Sequence, residues 1–307
     1  MDFRPLDPAQ LPWLRRALMP LRLPVNRLLR WAWSHTGHSR STWFDSRRWR
    51  IVWNVNRWFA ATPRVQRSLV QMRFGPRIVM ELDLARLTDV LAYCYGPGEN
   101  EVGYACASLC PPDGVVVDVG GNIGTTMLSF AASVPNGHVH VFEPSREMLP
   151  LLRRNLELSR AGNVTVHPFG LSDQASRGHL QVAIDGNPGS AYFVEGSDAA
   201  VDAIETRRLD DVLATVPRVD FLKIDVEGYE LRVLRGAEAL LRRHRPAVLF
   251  EVNEGALVRG GTSGREVCEY MLSLGYRLHW LERGRLRDYD LGTMLTRKLH
   301  NVIALRD

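Results

Sequence analysis

The chain has 307 residues, 45% of them hydrophobic and 24% charged, with a net charge of +5. That composition suits a soluble globular protein with room for one large domain, or for a core domain plus an appendage. No apolar run approaches the ~20 residues that span a bilayer. The four cysteines (Cys94, Cys106, Cys110, Cys268) fit neither a zinc site nor a disulfide framework, so a cytoplasmic setting with buried, structural thiols is expected.

The positive charge is concentrated at one end. Residues 1–77 hold 15 arginines against three acids (Asp2, Asp7, Asp45), a net of +12, while the remainder carries 24 basic and 31 acidic residues, a net of −7. Seven of the eight tryptophans also fall in 1–77, and Pro5, Pro8, Pro12, Pro20 and Pro24 break its first part into short pieces. Trp49 and Trp53, like Ile51 and Val55, are four apart, which predicts a helix over 43–59. A basic, Trp-rich helical appendage over 1–77 is therefore expected. It suits a cap packed on the core or on a second copy in a homodimer, since an apolar stripe at helical spacing is more often core than binding surface. Peripheral contact with an anionic membrane surface, a nucleic-acid patch and a dock for an anionic or glycan ligand stay open beside that reading.

The second domain is expected over 78–307. Ile78 to Leu84 alternates as a strand does, Asp89–Tyr95 and Glu101–Cys110 read as helices, and Gly96-Pro-Gly-Glu-Asn and Pro111-Pro112-Asp113-Gly114 are turns. Val115–Val119 is a buried strand, followed by a glycine-rich turn and a helix from Ile123 to Ala132. His138–Phe142 is a second strand, Ser145 an N-cap, Glu147–Arg160 a helix and Asn163–His167 a third strand. Residues 168–208 are rich in Gly, Ser and Asp, with alternating pieces at 179–184, 190–195 and 202–207, and predict an insertion hairpin over the site. Leu209–Ala214 is a short helix, Val219–Asp225 the fourth strand, Tyr229–Arg243 a long helix, Ala247–Val252 the fifth strand and Glu266–Leu274 a helix. Tyr276–Trp280 and His300–Leu305 form a late hairpin. Strands alternating with helices predict an α/β fold: a mostly parallel, seven-stranded sheet covered on both faces, with an antiparallel C-terminal edge.

Two stretches carry chemistry. The first is Asp118-Val-Gly-Gly-Asn-Ile-Gly124, a strand breaking into a glycine turn and a helix N-terminus. Its spacing departs from the G-x-G-x-x-G of a dinucleotide site. Gly120, Gly121 and Gly124 let backbone approach a ligand, and Asp118 can accept from an ammonium or orient the loop, which points to S-adenosylmethionine rather than NAD. Glu143, at the next strand end and followed by Pro144, suits the two hydroxyls of a ribose. Ser172-Asp173, beyond the third strand, suits an adenine edge. The second stretch is Asp220-Phe-Leu-Lys-Ile-Asp-Val-Glu-Gly-Tyr-Glu230. It brings Asp225, Glu227 and Glu230 to the sheet's C-terminal edge, where clustered carboxylates need a cation nearby. A place at a helix N-terminus accounts for Glu230 without further function.

From about residue 84 to 305 the chain resembles the FkbM family of class I S-adenosylmethionine-dependent methyltransferases. The resemblance rests on Gly98-Glu-Asn-Glu101, Val116-Val-Asp-Val-Gly-Gly-Asn-Ile-Gly124, Val141-Phe-Glu-Pro144, Leu171-Ser-Asp173, Leu209-Asp210, Phe221-Leu-Lys-Ile-Asp-Val-Glu-Gly-Tyr-Glu230, Val233-Leu-Arg-Gly236 and Phe250-Glu251. Gly121 stands where the family often has alanine. The resemblance implies a Rossmann-like fold and O-methylation of a sugar, glycolipid, polysaccharide or polyketide-type metabolite. It assigns Asp118, Gly120, Asn122 and Gly124 to the methionine end of the cofactor, Glu143 to ribose and Asp173 to adenine. It is silent on residues 1–77.

Methyl transfer to an alcohol needs alignment and a general base, or a metal that lowers the hydroxyl pKa. The candidates are Asp225, Glu227, Glu251 and His167, with Asp225 first because it ends the strand nearest the expected methyl. Asp225 and Glu251 could instead hold Mg²⁺. His138 and His140 share a strand face and read as structural. A nucleic-acid N-methyltransferase is disfavoured because Asp225-Val-Glu-Gly stands where an Asn/Asp-Pro-Pro-aromatic motif is expected. An NAD-dependent oxidoreductase is disfavoured by the glycine spacing, and a non-catalytic cofactor binder by the carboxylates at the reactive edge.

Overall fold

The computed structural model describes residues 69–306 except 75, 84–85, 97–99, 183–190, 197–202, 283–284, 295–296 and 298. The expected helix at 43–59, the seven tryptophans of the basic arm and part of the Gly98–Glu101 motif lie outside the described residues. In chain order the elements are β1 (Leu69–Phe74), β2 (Ile78–Asp83), α1 (Leu87–Tyr95), α2 (Asn100–Leu109), β3 (Val115–Val119), α3 (Thr125–Ser133), β4 (His138–Phe142), α4 (Met148–Ser159) and β5 (Val164–His167). There follow β6 (Gly170–Leu171), β7 (Ser176–Gln181), β8 (Tyr192–Glu195), β9 (Ile204–Arg207), α5 (Leu209–Val212), β10 (Phe221–Ile224), α6 (Glu230–Gly236), α7 (Glu238–His244) and β11 (Ala247–Asn253). The last are α8 (Glu254–Arg259), α9 (Gly264–Ser273), β12 (Arg277–Glu282), β13 (Arg285–Asp288), α10 (Leu291–Met294) and β14 (Leu299–Leu305).

The main sheet has the order β13-β12-β14-β11-β10-β3-β4-β5. Strands β11, β10, β3, β4 and β5 run parallel, and β14, β12 and β13 are added antiparallel. Both faces are buried, which is why the central strands read as continuous apolar runs. Val117, Val119, Leu222, Ile224 and Phe250 point into one core cluster, and Val116, Val139, Val141, Phe221 and Leu249 into the other. No helix among the described residues is long and apolar enough to cross a membrane.

Several expectations change. The sheet has eight strands rather than seven; the extra one is β13, whose Arg-Leu-Arg-Asp sequence is exposed at every position and offers no buried face to read. The long helix over 229–243 is two helices, α6 and α7. A Cβ on Gly236 would lie 2.0 Å from the Ser172 carbonyl, so glycine lets the 172–173 backbone cross the helix here. Asp210 then accepts from Ala239 N (3.1 Å) and Leu240 N (2.8 Å) and caps the restarted helix. The 168–208 insertion is a four-stranded sheet, β6-β9-β7-β8, rather than a hairpin. The expected boundary at residue 77 falls inside a hairpin, because β1 pairs with β2.

Candidate functional site

Strands β3 and β10 are neighbours from which the sheet grows outward in opposite directions. In open α/β sheets, the crevice beyond the strand ends at such a reversal is the ligand site. Both chemistry-bearing stretches open here, with Asp118 paired in register with Lys223 and Val119 with Ile224.

The turn after β3 is built by backbone. Gly120 N and Gly121 N both donate to the Phe142 carbonyl, at 3.0 and 3.1 Å. Gly120 (φ 85°), Asn122 (φ 49°) and Gly124 (φ 90°) are all left-handed. A Cβ on Gly120 would sit 1.9 Å from the Asp225 carbonyl oxygen, and one on Gly121 2.3 Å from Val141 Cγ2. These glycines are thus required by close packing of the chain on itself, before any ligand is considered. Asn122 N donates to Glu143 Oε2 and Ser145 N to Glu143 Oε1, both at 2.7 Å. The strand-end acid therefore ties the glycine turn to the start of the next loop. Burial pushes the Glu143 carboxyl up to about 7 despite those two amides. Each of its oxygens keeps a further lone pair. Asn122 Oδ1 is buried with no hydrogen-bond partner among the described residues. Pro144 approaches Gly170 of β6. Ser172 is buried, donating from Oγ to Asp173 Oδ1 at 3.0 Å, while Asp173 is only half-buried.

The centre of the site is Lys223, which the sequence reading did not assign a role. Its Nζ lies 3.3 Å from Asp118 Oδ1 and 3.5 Å from Asp225 Oδ2, and donates to the Gly120 carbonyl at 2.8 Å. Asp118 is fully buried and accepts from Thr126 Oγ1 at 2.7 Å. Burial holds its carboxyl above the usual range, with Lys223 and Thr126 pulling the other way. Asp118 thereby lies beneath the turn, to which Lys223 links it. A lysine inside an otherwise apolar strand, Phe-Leu-Lys-Ile, was the available signal: so deep a cation must face carboxylates.

Asp225 directly follows β10, with its side chain 40% exposed. Glu227 follows in a left-handed conformation, φ 54°. Glu230 is fully buried and accepts from Val226 N and Gly228 N, each at 3.0 Å, so it shapes the turn. Burial pushes its carboxyl up to about 7. Glu251 follows Phe250, the register partner of Ile224, and so stands beside Asp225 on the next strand. The insertion sheet reaches this edge: Phe193 of β8 packs edge-on against Tyr229 at 5.4 Å, and Arg259 of α8 lies over Tyr192 at 5.3 Å.

A methyltransferase FkbM domain matches residues 118–278, more than half of the chain. The chain belongs to the FkbM methyltransferase family. Its relatives include the 31-O-demethyl-FK506 methyltransferase FkbM of Streptomyces tacrolimicus, 35% identical over 159 residues, or 41% of this chain and 60% of that protein. The 2-O-methyltransferase NoeI of Sinorhizobium fredii is 29% identical over 53% of this chain and 72% of its own. The hexuronic acid methyltransferase AglP of Haloferax volcanii is 29% identical over 64% of this chain and 77% of its own. The chain thus spans about 60% of the length of some curated relatives. With the strand order above, family membership makes the fold that of a Rossmann-like class I methyltransferase.

The FkbM-family frame separates the remaining candidates. Asp225, Glu227 and Glu251 gather at one edge. His167 does not join them. It ends β5, three strands from β10, or about 14 Å across the sheet. Its ring stacks on Phe142 at 4.3 Å and meets His140 Nδ1 at 3.2 Å, while its carbonyl accepts from Glu143 N. His138 and His140 share a strand face, as expected, and burial holds His140 down at about 4. Among the described residues no three His, Cys, Asp or Glu side chains converge to hold a metal ion.

Proposed function

We propose that this domain transfers the methyl group of S-adenosylmethionine to a hydroxyl of a small-molecule or glycan acceptor. The observation that carries the reading is the Lys223 bridge, which ties the glycine turn to a half-exposed carboxylate across the sheet's switch point. The residues fit the donor. Asn122 offers a buried oxygen without a partner, and Glu143 offers spare lone pairs for two ribose hydroxyls. Ser172 and Asp173 border the place for adenine. The bound donor supplies an electrophilic methyl group, and the remaining work is positioning and proton removal.

Asp225 is the residue to receive the acceptor's hydroxyl proton on its Oδ atoms. Lys223 holds that carboxylate at a fixed distance from the turn and offsets the charge of Asp118 below it. Phe193 and Tyr229 form an aromatic wall beside the edge, able to exclude water from the transfer. Geometric alignment of this kind supplies much of the rate in a displacement. Two of the relatives above are named for 31-O-demethyl-FK506 and for hexuronic acid, and a sugar acceptor is the reading we favour for this chain.

The test is labelled-methyl transfer to sugars and glycolipids, with and without EDTA. Asp225→Asn should lower turnover about 10²–10⁴-fold, the worth of a general base, with S-adenosylhomocysteine affinity unchanged. Full turnover by that variant removes Asp225 from the mechanism.

A further inference from the structure

We propose that the cavity between the β1–β2 hairpin and the C-terminal end of α4 binds a phosphate ester, held between the guanidiniums of Arg77 and Arg160. The site lies apart from the catalytic crevice and does not depend on the methyltransferase reading.

The hairpin is laid on α4 by three hydrogen bonds. Glu81 N donates to Asn155 Oδ1 at 2.7 Å, Val79 N donates to Ser159 Oγ at 3.0 Å, and Ser159 Oγ donates to the Val79 carbonyl at 2.8 Å. β2 therefore runs antiparallel to the helix, and the turn between β1 and β2 comes to rest at the helix's C-terminal end. A cavity of about 580 Å³ opens there. Such a volume suits a small organic ligand rather than a single water or ion. α4 starts from Ser145 at the crevice and is 12 residues long, so the cavity is roughly 18 Å from the donor turn.

Two cations meet on the cavity wall. Arg77 comes from the hairpin, and Arg160 is the residue that ends α4. Both are exposed, and among the described residues neither guanidinium is paired with a carboxylate. Arg77 spends one N–H on the Ala132 carbonyl, at 3.2 Å, and Arg160 spends none of its side-chain donors on the described residues. The neighbouring acids are taken, since Glu81 and Glu157 both face Arg154, at 3.9 and 3.8 Å. A cation at a helix C-terminus is stabilising on its own, and that accounts for Arg160. It does not account for a second cation brought to the same cavity by another element, because like charges repel unless an anion lies between them. Guanidinium forks match phosphate oxygens in pairs, and two forks offset the charge of one phosphate. The rest of the wall fits the organic part of an ester. Gln71 offers a carboxamide that makes no hydrogen bond to the described residues, and Met72, Val79 and Leu158 are apolar and half-buried. A phosphate ester reaches such a cavity either as a soluble small molecule or as the headgroup of an anionic lipid, and the chemistry of recognition is the same.

The test uses the full chain and two probes. One is glycerol phosphate, followed by calorimetry. The other is sedimentation with vesicles of phosphatidylglycerol and phosphatidylcholine in equal parts, against phosphatidylcholine alone. At least one probe should bind. Arg77→Gln and Arg160→Gln should each weaken that binding about tenfold or more, with S-adenosylhomocysteine affinity unchanged. Arg153→Gln removes the same charge from an exposed position of α4 outside the cavity, and should leave binding within about twofold. Binding of glycerol phosphate makes the ligand a soluble ester, and selective loss on vesicles alone makes it a lipid headgroup. Attraction of vesicles by the basic residues 1–77 falls equally in all three variants, so equal losses overturn the proposal. Binding of neither probe overturns it too. So does unchanged affinity in both cavity variants, whatever their Tm, which leaves Arg77 and Arg160 as helix caps.

Discussion

Replacing Lys223 by methionine tests the centre of the site. The ammonium is 3% exposed and stands 3.3 Å from an Asp118 carboxylate that is fully buried. Removing one partner of a buried ion pair strands the other charge, at a cost of about 3–5 kcal/mol. For a domain of this size that corresponds to a fall in Tm of roughly 6–20 °C. Urea unfolding at pH 7.5 should show a lower midpoint with an unchanged slope. The pH dependence has a definite sign. Burial already raises the Asp118 carboxyl, and losing Lys223 raises it further. A carboxyl raised in the folded state destabilises at high pH and ceases to do so as it protonates, so the Lys223→Met deficit should shrink as the pH falls. Glu230, pushed up to about 7, titrates in the parent and the variant alike, whereas the Glu143 carboxyl, which Lys223 helps to hold down, rises along with Asp118 and adds to the same trend. Adding Asp118→Asn, which keeps an acceptor for Thr126, should restore most of the loss. A single-variant cost under about 1 kcal/mol, the range of an exposed pair, refutes the reasoning, as does a double variant no better than the single one.

Two further outcomes follow from the surrounding contacts. Because the Glu143 carboxyl is held at about 7, its ionised, fully accepting form gains population across neutral pH. S-adenosylhomocysteine affinity by calorimetry should climb from pH 6 to 8, whereas Glu143→Gln should bind about tenfold or more weakly with a flat profile; a variant profile parallel to the parent's assigns the titration elsewhere. Asp210→Ala removes the oxygens that cap α7 and should cost about 1 kcal/mol in chemical unfolding with S-adenosylhomocysteine affinity intact. A loss of that affinity would place Asp210 in the site rather than under it.

The five parallel strands were legible because burial on both faces leaves uninterrupted runs such as Val-Val-Val-Asp-Val and Phe-Leu-Lys-Ile. His138–Phe142 and Val115–Val119 match the expected bounds residue for residue. What stayed hidden depends on partners distant in sequence. The break between α6 and α7 is set by Ser172 pressing on Gly236, a contact with no local signature. β1 was hidden in a basic stretch whose alternation is weak, and β13 has no buried face. At the site, motif residues divided into two kinds only once their partners were seen. Asp225 stands half-exposed at the strand end. Glu143, Asp118, Glu230 and Asp210 accept from groups of the chain itself. Lys223 was visible as a letter in the strand, but its role as the tie between two motifs required their register.

That tie has a kinetic corollary. Lys223 and the Val119 carbonyl it reaches are 104 positions apart in sequence. Parallel pairing of β3 with β10 must close that whole loop before the bridge yields any energy, and contacts of such long range form slowly. The local hairpin β1–β2 can assemble early, but the crevice exists only after the strand pairing at its centre. A ligand of the crevice recognises nothing earlier on the path. S-adenosylhomocysteine should therefore slow unfolding in proportion to its occupancy and leave the refolding rate untouched.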